Sequence, residues 1–224
     1  YSMESYEGVL EVAIEAARKA AEVLRAEFER AGGPRGPIGK CPADEAAEVA
    51  IRDHLRGRFP DWQFFGEETG TTGQASVHHW WVDPNDGTRS FQKGFRGSAV
   101  SIALLRGREP VLGVVLAPCP PVGQEDLITW AEGCGPVQRN SRPVEGVRAD
   151  HLSRGSVILV SQDADTRSEA NAQLADPARF WAVPSVAYRM ALVAAGEGDA
   201  GVALSGAADC DSAGAHALLR DRKS

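Results

Sequence analysis

Three short acidic segments stand where predicted β-strands end, and their residue types are those that bind divalent cations. They are Gly66-Glu67-Glu68, Asp83-Pro84-Asn85-Asp86-Gly87-Thr88 and Asp209-Cys210-Asp211. Hard cations such as Mg²⁺ prefer oxygen ligands, and magnesium usually shares one or two protein carboxylates with substrate phosphate. We therefore predict that the three segments meet at one magnesium site that also binds phosphate.

The middle segment is expected to be the centre of that site. A tight turn would fix Asp83 and Asp86 so that they bracket two cations, and Glu67 and Asp211 would complete the cage from neighbouring strands. Two such cations lower the pKa of bound water and neutralise charge on the phosphoryl and leaving oxygens. This chemistry hydrolyses a phosphate ester without a covalent nucleophile.

The end of the same segment is predicted to bind the phosphate and the attacking water. If Gly87 and Thr88 open a helix or a turn, their N–H groups would cradle a phosphate. Thr88 would hold or deprotonate the water, with Asp44 behind it. Asn-Asp-Gly alone is more typical of a solvated turn, so it is the joint occurrence of three acidic segments that favours a site.

The periodicity of apolar residues predicts an α/β chain with one domain over 1–224. Helices are predicted at 6–30, 42–56, 166–175, 186–195 and 211–219, and strands at 62–65, 79–82, 98–105, 111–117, 127–131, 157–160, 180–183 and 200–204. The first lobe, at about 4–150, is mostly sheet. The second, at about 151–224, alternates strands and helices in the manner of a layered α/β lobe.

Composition narrows the class of partner. The chain of 224 residues is 43% hydrophobic and 25% charged, with a net charge of −7. This balance is typical of a globular protein and argues against a nucleic-acid polymer or an anionic membrane as partner, since both need clustered Lys and Arg. The four cysteines have no metal-binding or disulfide spacing, so we expect a cytoplasmic protein.

The motifs resemble those of the inositol monophosphatase family, which belongs to the lithium-sensitive, magnesium-dependent phosphatases. That family has G-E-E, then W-(V/I)-(V/I)-D-P-(I/L)-D-G-T-x-(N/E)-F, then W-D-x-A-A/G-G. Here these patterns fall on Gly66–Glu68, Trp80–Phe91 and Cys210–Gly214. The resemblance implies an αβαβα sandwich, two or three Mg²⁺ ions, a small phosphorylated metabolite as substrate and a possible homodimer.

The resemblance also implies the roles of individual residues. The family's metal ligands fall on Glu67, Asp83, the backbone carbonyl of Asn85, Asp86 and Asp211. The family's phosphate-binding amides fall on Gly87 and Thr88, and its water-activating pair falls on Thr88 and Asp44. Glu67, Thr88 and Asp44 are thus the expected catalytic residues.

Several positions depart from the family pattern. Asn85 replaces an aliphatic residue, and Cys41 stands where the family has the threonine of V-T-x-x-D. Cys210 replaces a tryptophan, and Leu204 lies about where inositol-specific members carry an acid. The loop at 31–43 is shorter than the family's mobile loop. These departures leave the metal ligands in place and bear on the substrate.

Three functions follow as hypotheses. The first is a Mg²⁺-dependent phosphomonoesterase acting on a small phosphorylated polyol or sugar. The second is a nucleotide 3′-phosphatase of the 3′-phosphoadenosine-5′-phosphate phosphatase type, which a basic or aromatic pocket formed from residues 185–206, including Tyr188 and Arg189, would favour. The third is a catalytically inactive scaffold of the same fold.

Overall fold

The computed structural model describes residues 5–145, 151–203 and 209–221, except the side chains of residues 209–212 and 220–221. The helices are α1 Glu7–Phe28, α2 Pro42–Arg58, α3 Thr88–Gln92, α4 Ser168–Ala175, α5 Val186–Ala194 and α6 Asp209–Asp221. The strands are β1 Gln63–Gly66, β2 Gly70–Thr72, β3 His78–Asp86, β4 Ala99–Arg106, β5 Glu109–Ala117, β6 Asp126–Ala131, β7 Gln138–Arg139, β8 Arg142–Pro143, β9 Val157–Val160, β10 Arg179–Ala182 and β11 Ala200–Gly201. The α/β class is confirmed.

The first sheet has eight strands in the order β2-β1-β3-β4-β5-β6-β7-β8. Only the pair of β1 and β3 is parallel among its neighbours. Successive residues of a strand point to opposite faces, and β5 shows the consequence. Val114 packs in one buried cluster with residues of α1 and α2, whereas Val115 packs in a second with residues of α5 and α6.

The second sheet is parallel, in the order β10-β9-β11. Leu159 of β9 packs in the same buried cluster as α5 and α6, so these two helices lie between the sheets, and α4 packs against β10. The layers are therefore helices, sheet, helices, sheet and helix. This is the αβαβα sandwich expected from the resemblance.

Two glycines let α6 pack directly on the first sheet. A Cβ on Gly113 of β5 would lie 2.2 Å from the carbonyl oxygen of Gly214, and a Cβ on Gly214 would lie 2.7 Å from Ser101 Oγ. A side chain at Gly113 would require the backbone of α6 to move, and one at Gly214 would displace Ser101 and crowd the carbonyl oxygen of Ile102 at 3.0 Å. The glycine of the third motif thus brings the start of α6 close to the sheet.

The predicted elements differ from the observed ones mainly where the signal is short. Strands β2, β7 and β8 were not predicted, because two or three residues cannot show a periodicity of two. The helix predicted from residue 166 begins at Ser168, after a 3₁₀ turn over Gln162–Arg167. Of the strand predicted at 200–204, Ala200–Gly201 is a strand, and Leu204 lies outside the described residues. Among the described helices, none has the length and apolar composition needed to cross a bilayer.

Candidate active site

Two of the acidic segments meet because their strands are parallel neighbours. Gly66, the last residue of β1, pairs with Val82 of β3, so Glu67 and Asp83 lie at the same edge of the sheet. A cavity of about 390 Å³ at this edge is lined by Glu67, Asp83, Asn85, Asp86, Gly87 and Thr88, among others. The structure therefore brings these predicted site residues together.

The backbone of the middle segment is a bulged strand rather than a free turn. β3 continues to Asp86, and its register against β4 shifts between Asp83 and Asp86. A bulge re-aims side chains and interrupts the ladder. Gly87 then takes φ = +100°, a left-handed conformation that suits glycine, and α3 begins at Thr88. Asp83 and Asp86, at the two ends of the bulge, both line the cavity.

Asp83 is 1% exposed and lies among other carboxylates. Burial raises its pKa well above the usual range, and the nearby carboxylates of Asp86 and Glu67 raise it further. The backbone N–H of Asn85 donates to Asp83 Oδ1 at 2.9 Å and partly offsets this effect. A carboxyl so placed favours either a proton or a cation beside it.

Asp86 is held by the N-terminus of α5 in the second lobe. Its Oδ2 accepts hydrogen bonds from Ser185 Oγ at 2.7 Å and from the backbone N–H of Ala187 at 2.7 Å. Ser185 is the N-cap of α5 and also accepts from the N–H of Tyr188 at 2.8 Å. The helix dipole favours a carboxylate at this position. Sequence reasoning missed this contact, because its partners are 99 and 101 residues from Asp86.

Asp44 of α2 is joined to the middle segment by two hydrogen bonds. Asn85 Nδ2 donates to its Oδ1 at 2.9 Å, and Thr88 Oγ1 donates to its Oδ2 at 2.8 Å. Burial raises the pKa of Asp44 to about 6, against the opposing effect of these two donors. Thr88 Oγ1 also lies 3.0 Å from the carbonyl oxygen of Asn85. The structure thus contains the hydroxyl and carboxylate pair that the sequence predicts.

Glu48, one turn after Asp44 on α2, positions the segment that contains Glu67. Its buried carboxylate accepts from the N–H groups of Glu68 at 2.8 Å and Thr69 at 2.7 Å, and from Thr69 Oγ1 at 2.6 Å. A Cβ on Gly66 would lie 2.1 Å from Glu48 Oε1. The glycine of G-E-E therefore leaves room for the hydrogen-bonded carboxylate of Glu48. The spacing of two acids four residues apart on one helix face was the available signal.

The short loop before α2 reaches the cavity through Gly39. Gln92 of α3 binds this loop, because its Oε1 accepts from the N–H of Gly39 at 2.7 Å and its Nε2 lies 3.0 Å from Pro37 O and 3.1 Å from Arg35 O. The base of the loop is fixed by an ion pair between Arg35 and the buried Glu27. Sequence reasoning did not identify Gln92.

Asp211 lies in α6, and its side chain is outside the described part of the chain. In that described part, no three Asp, Glu, His or Cys side chains form a group that could hold a metal ion by themselves. A cation at Asp83 and Asp86 needs further oxygens, such as the backbone carbonyl of Asn85 or a carboxylate from α6. The donor set at the cavity is composed of oxygens, which suits magnesium rather than a softer metal.

Comparisons with known proteins agree with the geometry. A family model of the inositol monophosphatase family matches residues 5–221. Over 172 residues the chain is 34% identical to inositol monophosphatase 3 of Solanum lycopersicum, an alignment that covers 74% of this chain and 61% of that protein. The next two curated relatives are covered over 51% and 52% of their length. The chain thus spans about half to three fifths of these relatives.

Solved structures show the same fold. The extragenic suppressor protein SuhB of Bartonella henselae is 28% identical with a TM-score of 0.79, over 96% of this chain and 84% of that one. CysQ of Bacteroides thetaiotaomicron, described as a bacterial member of the inositol monophosphatase family, is 25% identical with a TM-score of 0.69, over 96% and 87%.

Proposed function

The chain belongs to the inositol monophosphatase family, and on this premise we propose that it is a magnesium-dependent phosphomonoesterase that hydrolyses a small phosphorylated polyol or sugar. The observation that carries the proposal is one cavity in which Glu67, Asp83 and Asp86 lie beside the hydrogen-bonded pair of Thr88 and Asp44. An oxygen-rich cation site and a hydroxyl coupled to a buried carboxylate are the two parts that metal-assisted ester hydrolysis needs.

The proposed magnesium ligands are Glu67, Asp83, the backbone carbonyl of Asn85, Asp86 and Asp211, for two or three ions. Support comes from Asp83, whose pKa is raised by burial and by neighbouring carboxylates, because a cation relieves this repulsion. When bound, magnesium supplies the charge that activates water and neutralises the phosphoryl group.

The chain's own groups orient the reactants. The N–H groups of Gly87 and Thr88 are proposed to bind the phosphate oxygens, and both residues line the cavity. Thr88 Oγ1 donates a 2.8 Å hydrogen bond to Asp44. As Thr88 Oγ1 accepts a proton from the attacking water, its own hydroxyl proton would pass along this hydrogen bond to the Asp44 carboxylate. With a pKa of about 6, Asp44 is mostly ionised at pH 7 and is suited to act as the final base. Glu67 is proposed to hold the same water.

Two alternatives share the fold. The nucleotide 3′-phosphatase gains no support from Tyr188 and Arg189, because both are buried. Tyr188 donates to Asp126 at 2.5 Å, and Arg189 donates to the backbone carbonyls of Val183 and Pro184. The inactive scaffold is opposed by the buried acids, since carboxylates crowded at Asp83 without a cation destabilise the folded state.

Composition and resemblance support a cellular location, an oligomeric state and a class of partner. A cysteine pattern without disulfide spacing supports a cytoplasmic location. The resemblance to the family supports a homodimer. The net charge of −7 supports a small phosphorylated metabolite over a nucleic-acid polymer as the partner.

The proposal is tested by phosphate release from a panel of glycerol 2-phosphate, inositol 1-phosphate, a hexose phosphate and a nucleoside 3′,5′-bisphosphate, in Mg²⁺ and in EDTA. We expect release in Mg²⁺ alone, and a loss on the order of a hundredfold or more in Asp86→Asn, because a charged group at the reacting phosphate is removed. Asp61→Asn, at an exposed position, is the matched control.

Equal turnover in Asp86→Asn and Asp61→Asn would contradict the site. Release in EDTA at the same rate as in Mg²⁺ would contradict the metal dependence. Release from the nucleotide alone would favour the second function. Silence across the panel, with no magnesium binding by calorimetry, would favour the scaffold.

A further inference from the structure

An apolar cleft of about 490 Å³ lies beside the candidate active site, between α4 and the second sheet. Ile158 and Val160 of β9 and Phe180 of β10 line the side formed by the sheet. Ala170 and Leu174 of α4 line the opposite side. None of these residues belongs to the proposed catalytic set.

The cleft has small side chains of α4, such as Ala170, opposite larger side chains of the sheet, such as Ile158 and Phe180. Leu159 points to the other face of β9 and is buried among residues of α5 and α6, so Ile158 and Val160 point towards α4. Both are only half-buried. The alanines of α4 are too short to fill the space above them, which leaves apolar surface accessible.

The cleft adjoins the phosphate cavity. Ser161 and Asp163 line both spaces, so a molecule whose phosphate lies near Gly87 and Thr88 can extend past Ser161 to the cleft. At the cleft, Leu174 is 85% exposed. An apolar group bound there would remove such surface from water, and this burial stabilises a complex.

Two polar side chains of the cleft, Thr166 and Asn171, are hydrogen-bonded to the backbone of the protein itself. Thr166 Oγ1 donates to the backbone carbonyl of Asp163 at 2.7 Å. Asn171 Nδ2 donates to the carbonyls of Ala164 at 3.2 Å and Arg167 at 3.0 Å. A polyhydroxylated ring placed here would lose hydrogen bonds to water without gaining equal ones, and each unsatisfied group would weaken its binding. The charged residues lining it, Asp163 and Arg167, carry opposite signs and give no preference for an anion.

From these contacts we infer that the cleft binds an uncharged apolar group, up to the size of a ring, on the alcohol part of the phosphate ester. The inference rests on the proposed function, because it assigns the substrate class of that same site. The substrate is then a phosphorylated alcohol, polyol or sugar with an apolar substituent, rather than a bare polyol phosphate.

Binding of methyl-, propyl- and hexylphosphonate tests the inference by calorimetry with Mg²⁺ present. These probes share the anionic group and differ in apolar length. We expect affinity to rise on the order of two- to fourfold for each buried methylene. In Ala170→Phe, which fills the cleft, the rise with chain length should disappear while affinity for methylphosphonate stays the same.

Ala172→Phe is the matched control, because Ala172 is exposed on the same helix and does not line the cleft. A rise with chain length in this control and in the parent, but not in Ala170→Phe, would support the cleft. An equal rise in both variants, or no rise in the parent, would overturn it. Because the readout is binding, phosphate release that fails while the length dependence persists would contradict the proposed hydrolysis and not the cleft.

Discussion

At the scale of single residues, the site depends on carboxyl groups that are buried away from water, where their charged form is destabilised. Asp44 illustrates both the reach and the limit of sequence reasoning. Its pairing with Thr88 was expected from the family pattern, and the two side chains are joined at 2.8 Å. The contacts of Asp86 with Ser185 and of Glu48 with Thr69 were not expected, because in each case the partner lies far away in the sequence.

The raised pKa of Asp44 predicts a pH-dependent stability of the metal-free protein. The folded state binds the proton more tightly, with a pKa of about 6, than the unfolded state, with an ordinary value of 3.8. Stability contributed by this group is therefore present below the unfolded value and is lost as pH rises from about 4 to about 6. The loss is on the order of 2–3 kcal/mol. Asp44→Asn should remove this dependence of the stability on pH.

Urea unfolding in EDTA at pH 4, 5, 6 and 7 measures this difference. Asp83 and Glu68 also have raised pKa values and add slopes of the same sign, so the comparison between parent and variant isolates Asp44. Asp53→Asn, at an exposed position of α2, should follow the parent. Parallel curves for the parent and Asp44→Asn would show that burial does not perturb this carboxyl.

At the scale of elements, long periodic segments were predicted well and the geometry of their ends was not. α1, α2 and α5 begin within one residue of their predicted starts, and β9 coincides with its prediction. The predicted strand at 79–82 instead runs to Asp86 with a bulge, because pairing with β4 and the parallel contact with β1 outweigh the turn preference of Asn-Asp-Gly. Where an acid points thus depended on tertiary contacts that periodicity does not encode.

The loop before α2 provides a prediction at this scale. Gln92→Leu keeps the size of the side chain but removes the acceptor for the N–H of Gly39 and the donor to the loop carbonyls. Loss of hydrogen bonds worth about 1–1.5 kcal/mol should raise the open population of the loop about tenfold. Trypsin cleavage after Arg35 or Lys40, followed by mass spectrometry, should accelerate by the same factor.

Gln173→Leu, at an exposed position of α4, is the control and should leave cleavage of this loop unchanged. Because Gly39 lines the cavity, the opened loop should also raise KM for the phosphate ester more than it lowers kcat. Cleavage at the parent's rate in Gln92→Leu would show that the ion pair of Arg35 with Glu27 alone holds the loop.

At the scale of the whole molecule, the site links the two sheets. Glu67 and Asp83 come from the first sheet, Asp86 is bound by the start of α5, and α5 lies between the sheets. Packing of α6 on the first sheet through Gly113 and Gly214 joins the middle helix layer to that sheet. The alternation of elements predicted a layered second lobe, and the family resemblance implied the whole αβαβα sandwich. The meeting of Glu67 with Asp83 and Asp86 was predicted from acids at strand ends, whereas the contact of Asp86 with α5 was not.

Crowded acids at the junction of the layers predict that magnesium stabilises the fold. Burial and like charges raise the pKa of Asp83, so the stability of the metal-free protein falls as the pH rises above the ordinary pKa of this carboxyl. Magnesium at one hundred times its Kd should add about 2.7 kcal/mol, or about 5–10 °C in Tm for a chain of this length. Calorimetric melting in Mg²⁺ and in EDTA measures the shift.

Asp83→Asn separates this account from a general salt effect. The amide keeps an oxygen to accept the N–H of Asn85 but removes the charge, so the metal-free variant should melt at a higher temperature than the parent at pH 7 and near the same temperature at pH 4. Its response to magnesium should be small, while Asp61→Asn should respond like the parent. A variant that melts lower than the parent in EDTA at pH 7, yet still gains the full shift with magnesium, would place the cation elsewhere. A variant that melts higher than the parent in EDTA at pH 7 and gains little from magnesium would support the account. The metal-free protein would then lose stability at this junction because its carboxylates are arranged for a cation.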